Sequence, residues 1–382
     1  MRANDQNLKK SQARYQQCTF CIMDTSDPLI TFNEDGRCNH CLAVDRWKAQ
    51  GWNPSGDSNK LDRLLETVKS DGKGRDYDVV LGLSGGVDSS YIAYLCKQWD
   101  LRTLIVHVDT GWNSELAVKN IENLISYGGF DLDTLVVDWD EMRDLQLAFF
   151  RAGVPNQDIP QDHAISAGFL RHASRHNVKW TFIGTNYACE GILPTSWGYD
   201  NTDVTHILDI HRRFGTLRLK KFPLLSNTER FFRYRMIWRL KKASPLNLLA
   251  YNKLEAIREL EKQAGWRYYG GKHYESRFTK FFQGWYLPNR WGYDKRLAHL
   301  ASLVASGQLS RQEALHEFAT GVTLEYTAED RTYMANKLAI SEPEFDNLMQ
   351  TQCHEHFEYR TTSQRKKKAI AILNAIANKM GL

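Results

Sequence analysis

At 382 residues the chain can build one main domain with smaller attachments and a sizeable core; with 42% hydrophobic and 25% charged residues it is neither disordered nor fibrous. Fifty basic against 45 acidic residues leave a formal net charge of only +5, too balanced for a protein that coats nucleic acid generally. A polar start from Met1 to Lys10 and the lack of any apolar run of membrane-spanning length argue against a signal peptide or span, so a cytoplasmic protein is expected.

In chain order, the first feature is a cysteine cluster. Cys18-x-x-Cys21 and Cys38-x-x-Cys41 hold four of the seven cysteines, and their spacing suits four thiolates closing a tetrahedron around one structural zinc ion. Unligated thiols, a redox pair or an iron–sulfur cluster are the alternatives. His40 could serve as a substitute ligand, but four sulfurs suffice. The run Gly51 to Ser58, rich in Gly, Pro and Ser, then ends a small module.

Short branched runs predict strands at Asp78–Leu83, Thr103–Val108, Thr134–Val137 and Trp180–Ile183. Helical patterns lead in at Leu61–Lys69 and follow at Ser89–Trp99, Ser114–Tyr127, Glu141–Arg151 and Asp162–His176. This alternation predicts an α/β fold with a doubly wound parallel sheet whose ligands lie beyond the carboxyl ends of the strands. Beyond about residue 190 the chain turns mainly helical. Arg230–Arg239 reads as an amphipathic helix whose aromatic side packs, and further helices are expected at Leu297–Ala305, Arg311–Ala319, Thr327–Leu338 and Glu342–Met349. The basic run Arg365–Lys368 reads as a solvated helix start. The implied division is a four-cysteine zinc-binding module over 1–50, a nucleotide domain over 60–225 and a substrate or partner region over 226–382.

The chemistry-bearing motif is Ser84-Gly85-Gly86-Val87-Asp88-Ser89-Ser90, between the first strand and its helix. Two glycines let backbone N–H groups close on phosphate oxygens, and the helix start adds partial positive charge. Ser84, Ser89 and Ser90 can donate hydroxyl hydrogen bonds, and Asp88, repelled by phosphate, fits a Mg²⁺ ion bound with the nucleotide. The alternative is a plain glycine-rich turn capped by Ser89. The run lacks the lysine of the Gly-x-x-x-x-Gly-Lys loop and the spacing of the dinucleotide fingerprint.

These residues resemble the Ser-Gly-Gly-x-Asp-Ser loop of the PP-loop ATP pyrophosphatase superfamily, which includes GMP synthetase, asparagine synthetase and tRNA-modifying enzymes. That resemblance implies that ATP is split into AMP and pyrophosphate, that His107 and Asp109 lie near adenosine, and that Gly184, Thr185 and Asn186 face the same crevice. For His107 a core role stands beside ligand contact. With the cysteine module, His107–Asn113, Gly270–Lys280 and Tyr286–Arg296, nearly the whole chain is similar to the N-acetyl sugar amidotransferase family of the WbpG/PseA type. This resemblance implies conversion of an acetamido to an acetamidino group on a nucleotide-linked or activated sugar for bacterial surface glycan. It makes Lys272, Arg277, Lys280, Lys295 and Arg296 candidates to hold phosphates or the sugar's anionic groups, and His273 and Glu275 candidates for proton transfer or orientation. Each could equally be part of a solvated helix face.

No glutamine-hydrolysing cysteine is evident, Arg2 standing where a processed N-terminal one would be. The resemblance therefore implies a separate glutaminase and a barrel protein conducting ammonia. The competing enzyme reading is a tRNA-modifying adenylating enzyme, for which Arg230–Arg239 speaks and against which the modest charge and the want of a cysteine partner for Cys189 stand. A zinc-containing assembly protein with a relic pocket is the non-enzymatic alternative. Neither a membrane nor nucleic acid is expected as partner.

Overall fold

The computed structural model describes residues 15–271, 274–321 and 326–363. Lys272, His273 and the basic run 365–368 lie outside them.

Two antiparallel bridges, Gln17 with Asp24 and Phe32 with Cys38, shape the N-terminal module, which ends in helix α1, Asn39–Ala49. Helix α2, Ser58–Asp71, is capped by the Asp57 carboxylate, which accepts from the Lys60 amide. A βα alternation follows: β1 Val79–Gly82, α3 Val87–Gln98, β2 Thr103–Asp109, α4 Glu115–Gly128, β3 Asp131–Val136, α5 Trp139–Ala152, α6 Ile159–Arg175 and β4 Trp180–Phe182. The short α7, Tyr187–Glu190, and α8, Val204–Phe214, come next, then β5, Lys241–Ala243.

The sheet runs β3-β2-β1-β4-β5, with every described pairing parallel. The winding reverses between β1 and β4, which opens a crevice at their carboxyl ends, where doubly wound sheets take ligands. On one face α6 lies close: a side chain at Gly82 would meet the Phe169 ring, and one at Gly168 would meet Leu135 and Val108. The buried side chains of module, sheet and C-terminal helices form one continuous cluster.

Three expectations need correcting. β3 begins at Asp131 rather than Thr134; it is a sheet edge whose side chains are mostly exposed, so no apolar run marks it. β5 was not expected at all, since Lys-Lys-Ala carries no strand pattern; it exists by pairing with β4, and it brings residues beyond 225 into the sheet. Arg230–Ile237 is π-helical, and of its aromatic side only Tyr234 packs. Phe231, Phe232, Met236, Ile237 and Trp238 are exposed, Ile237 by 73%.

The C-terminal part is helical, as its pattern predicts: α9 Lys253–Ala264, α10 Arg277–Phe281, α11 Leu287–Trp291, α12 Lys295–Ser306, α13 Arg311–Thr320, α14 Ala328–Leu338 and α15 Glu342–Met349. Among the described residues no helix is long and apolar enough to cross a membrane.

Candidate active site

The loop after β1 is built to receive an anion. Gly85 has φ +83°, and a Cβ there would lie 2.7 Å from the Ala117 carbonyl oxygen, so only glycine makes this turn. Gly86 caps α3 with no side-chain hydrogen bond, which leaves the helix's first amides for another acceptor. Ser84 and Ser89 hold the loop's shape, their hydroxyls 3.3 Å apart, with the Gly86 N–H donating to Ser84 Oγ. Ser90 departs from expectation: one helical step on it turns inward and is fully buried, so its hydroxyl does not face the loop's open side.

Asp88 stands in the first turn of α3, and Tyr251 donates its phenol hydrogen to Asp88 Oδ1. Burial, then the charge of Asp88, raises the Tyr251 pKa well above normal, so the phenol stays a donor. From β4, Gly184 closes on the same point: a Cβ there would be 3.0 Å from the Ser89 amide nitrogen and 3.2 Å from Asp88 Cβ. Thr185 and Asn186 follow it into the crevice, Asn186 capping α7 through the Cys189 amide. Cys189 is 2% exposed.

The stretches 266–271 and 274–276 arch over the loop. Trp266 Nε1 donates to the Gly85 carbonyl, the Val87 amide donates to the Tyr269 hydroxyl, and Glu275 Oε1 lies 2.8 Å from where a Gly86 Cβ would stand. Glu275 is thus at the phosphate loop, while its backbone carbonyl accepts from Ser114. A buried chain of side chains ties this segment to the sheet: Thr110 and Ser276 both donate to Gln161 Oε1, and Gln161 Nε2 donates to Thr279.

His107 proves to be a satisfied core histidine. Its Nδ1 is 2.8 Å from the Leu83 carbonyl, so it carries the hydrogen, and Nε2 accepts from Asn113. Asp109 braces the following turn by accepting from the Gly111 amide and Asn113.

Two cavities flank the loop. One of about 600 Å³, on the β2 side, is lined by Asn113, Tyr274, Arg277, Lys280 and Tyr333 among others. Arg277 stacks over the Tyr333 ring at 3.4 Å and Lys280 over Tyr274 at 5.6 Å. The other, about 400 Å³, opens at the ends of β4 and β5 and includes Thr185, Glu190, Lys242, Lys295 and His299. Arg296 is engaged elsewhere, its guanidinium clamped on Asp294. Tyr251, Tyr269, Glu190 and Lys242 were missed by sequence reasoning, since no local motif marks them.

Two stretches match known families. Residues 275–373 match the family described as LPS biosynthesis protein WbpG-like, C-terminal domain, and residues 59–153 match NAD synthase, a PP-loop family. A WbpG-like C-terminal domain and a PP-loop domain thus stand in one chain. No curated protein matches the chain significantly. Solved structures similar to it include the NH3-dependent NAD synthetase of Campylobacter jejuni (14% identity, 70% of this chain and 99% of that one, TM-score 0.29). U34-tRNA thiolase NcsA of Methanococcus maripaludis, with its [4Fe-4S] cluster, is another (12%, 85% and 99%, TM-score 0.30). A third is a predicted tRNA methyltransferase subunit of Methanocaldococcus jannaschii (17%, 48% and 75%, TM-score 0.27). At such scores these likenesses bear on neither substrate nor partner.

Outside both matched stretches, the four-cysteine cluster forms a closed set. The sulfurs of Cys18, Cys21, Cys38 and Cys41 all lie within 4.8 Å of one another and are buried, with close pairs at 3.6 to 3.9 Å. A tetrahedron of Zn–S bonds of about 2.3 Å has edges of roughly 3.8 Å, so the set fits one metal ion. The Phe20 and Cys38 amides donate to Cys18 Sγ, as thiolate ligands require.

Proposed function

We propose that the protein is an ATP-dependent amidotransferase, a C–N ligase, that turns an acetamido group of an activated N-acetyl sugar into an acetamidino group for lipopolysaccharide O-antigen or flagellar glycan. The observation that carries this reading is the conjunction of an anion-receiving loop and Asp88 at the switch point with the WbpG-like stretch, whose first residue, Glu275, reaches that loop. Coarsely, this is an ATP-using enzyme of C–N ligase type.

The amides of the loop and the start of α3 receive the pyrophosphate, and Tyr269 and Glu275, which now occupy that space, withdraw when it binds. Asp88, steered by Tyr251, would hold Mg²⁺, which neutralises phosphate charge. The acetamido oxygen attacks the α-phosphorus; pyrophosphate leaves and an O-adenylyl imidate forms. Ammonia then adds to the imidate carbon, the C–O bond breaks, AMP departs with that oxygen, and the nitrogen gives up a proton. Glu190, beside Tyr251, and Glu275 are the carboxylates placed to accept it. Orientation and preorganised donors supply the acceleration, because both reactants are anionic. Zinc is the metal we assign to the cysteine set, in a structural role. We further propose that ammonia reaches it from a separate glutaminase through a barrel protein, and that the enzyme works in the cytoplasm.

One observation favours a second reading. The exposed Phe231, Phe232 and Trp238 among arginines suit stacking on RNA bases, as in a tRNA-modifying enzyme. Purified protein with ATP, Mg²⁺, ammonium and a panel of acetamido sugars separates the two. We expect AMP formation that depends on a sugar, with exchange of oxygen for NH read by mass. AMP formation that needs tRNA instead, or release of ADP, sinks the first reading.

A further inference from the structure

A helix on a protein surface normally turns its apolar side chains inward and its polar ones outward. The π-helix Arg230–Ile237 does the reverse. In a helix whose hydrogen bonds run from i to i+5, residues four or five apart share a side. The inner side carries Arg230, which donates from Nη1 to Ser166 Oγ of α6, and Tyr234, which packs with Ala167 and Leu225. The opposite side is a crest of Phe232, Met236 and Ile237, exposed by 60%, 56% and 73%. Phe231 and Trp238 stand exposed beside it, so the helix projects as an apolar ridge held down by an arginine and a tyrosine.

The flanks of the ridge are cationic. Arg233 and Arg235, on either side of the inward Tyr234 in sequence, lie on opposite flanks, and Arg239 follows the helix. From 227 to 240 the only acid is Glu229, and it pairs with Arg233 at 3.2 Å. Arg235 and Arg239 are exposed and meet no carboxylate among the described residues. The balanced net charge of the whole chain hides this local excess. A surface ridge also needs no spanning length, so the features that argued against a membrane partner do not bear on it.

RNA bases stack on planar faces, and two of the three crest side chains, Met236 and Ile237, have none. A second copy would set one convex ridge on another and bring Arg235 and Arg239 against like charges. A bilayer meets both features: its boundary yields to a convex apolar crest, and anionic headgroups give the arginines their counter-charge. We propose that this ridge docks the protein on an anionic lipid bilayer, with Phe232, Met236 and Ile237 entering the acyl boundary and Arg233, Arg235 and Arg239 at the level of the lipid phosphates. So short a ridge buries little apolar surface, so docking is reversible and needs the charges as well as the crest. The inference is independent of the amidotransferase reading, because vesicle binding is measured without substrate.

Flotation of the full chain with vesicles of phosphatidylcholine, alone or with about one third phosphatidylglycerol, tests it. We expect partitioning about tenfold stronger on the anionic vesicles, falling as salt is added. Phe232→Ser and Ile237→Ser each lower it about tenfold, and so does Arg235→Gln combined with Arg239→Gln. Ile237→Leu binds as the wild type does, and all these variants keep the wild-type melting temperature, since the side chains changed are exposed. Equal partitioning on neutral and anionic vesicles, or serine variants that float like the wild type, overturns the proposal. So does no flotation with either vesicle, which leaves the ridge to a groove in another protein. A tRNA complex or a self-dimer that forms in the wild type and is lost in Ile237→Ser, without vesicle binding, overturns it in favour of RNA or of a second copy.

Discussion

Asp88 is reached by a phenol 163 residues away, and that distance explains both why Tyr251 matters and why no motif announces it. The Tyr251 hydroxyl donates to a carboxylate, and such charge-assisted bonds contribute about 1.5–3 kcal/mol. Tyr251→Phe keeps the ring and removes the donor, so Asp88 can turn away from the loop. We expect the Mg²⁺ concentration for half-maximal pyrophosphate release to rise about tenfold; an unchanged Mg²⁺ titration shows that Tyr251 does not position Asp88. Gly85 makes a second, steric prediction. Alanine there meets both a left-handed backbone and the Ala117 carbonyl, whereas Gly74, also left-handed at φ +73°, has open space around it. Gly74→Ala should cost about 1 kcal/mol in urea unfolding and Gly85→Ala about 2–4 kcal/mol. Only the second should also abolish binding of an ATP analogue, and equal costs would mean that the close approach at Ala117 is not real.

Among the elements, those with a local reason to exist were legible. The strand, loop and helix at 79–98 carry their own signals: a branched run, paired glycines, then helical periodicity. Four cysteines at short spacings likewise declare a cluster, and all four sulfurs do converge. β5 and the arch at 266–271 could not be read, because each is fixed by partners far off in sequence: β4 for one, the Gly85 carbonyl and Val87 amide for the other. The cysteine module's reach is another such surprise. Arg311 of α13 donates to the Cys18 and Cys21 carbonyls, and Trp47 of α1 stacks on Tyr187, a wall of the β4–β5 cavity, at 4.7 Å. Removing the proposed zinc with a strong chelator should therefore lower the melting temperature by several degrees, with loss of one metal ion per chain by mass spectrometry. A chelated protein that melts unchanged refutes a structural ion at these cysteines.

Across the whole molecule, three buried histidines hold the sheet domain to the segments wrapped around it, and all must stay neutral. His163 shows the reason: Nδ1 is 2.7 Å from the Asn201 carbonyl and so donates, while Nε2 accepts from the Leu225 amide, a bond that a second ring proton destroys. His206 and His356 face each other at 3.3 Å, joining α8 to the C-terminal stretch. Burial holds His163 at about 4, His206 at about 4 and His356 at about 3. In the unfolded chain each titrates near 6.5. Between roughly pH 6.5 and 4 the unfolded state therefore takes up protons that the folded state refuses, and stability falls as pH falls. Each histidine contributes up to about 1.4 kcal/mol per pH unit in that window, about 4 kcal/mol per unit together. Urea unfolding at pH 7.5 and 5.5 should show this loss, and His163→Gln, which can donate and accept at any pH, should flatten the slope by about one third of that sum. A variant with the wild-type slope would mean that His163 titrates normally in the folded protein, and that its bonds to Asn201 and Leu225 do not hold it neutral.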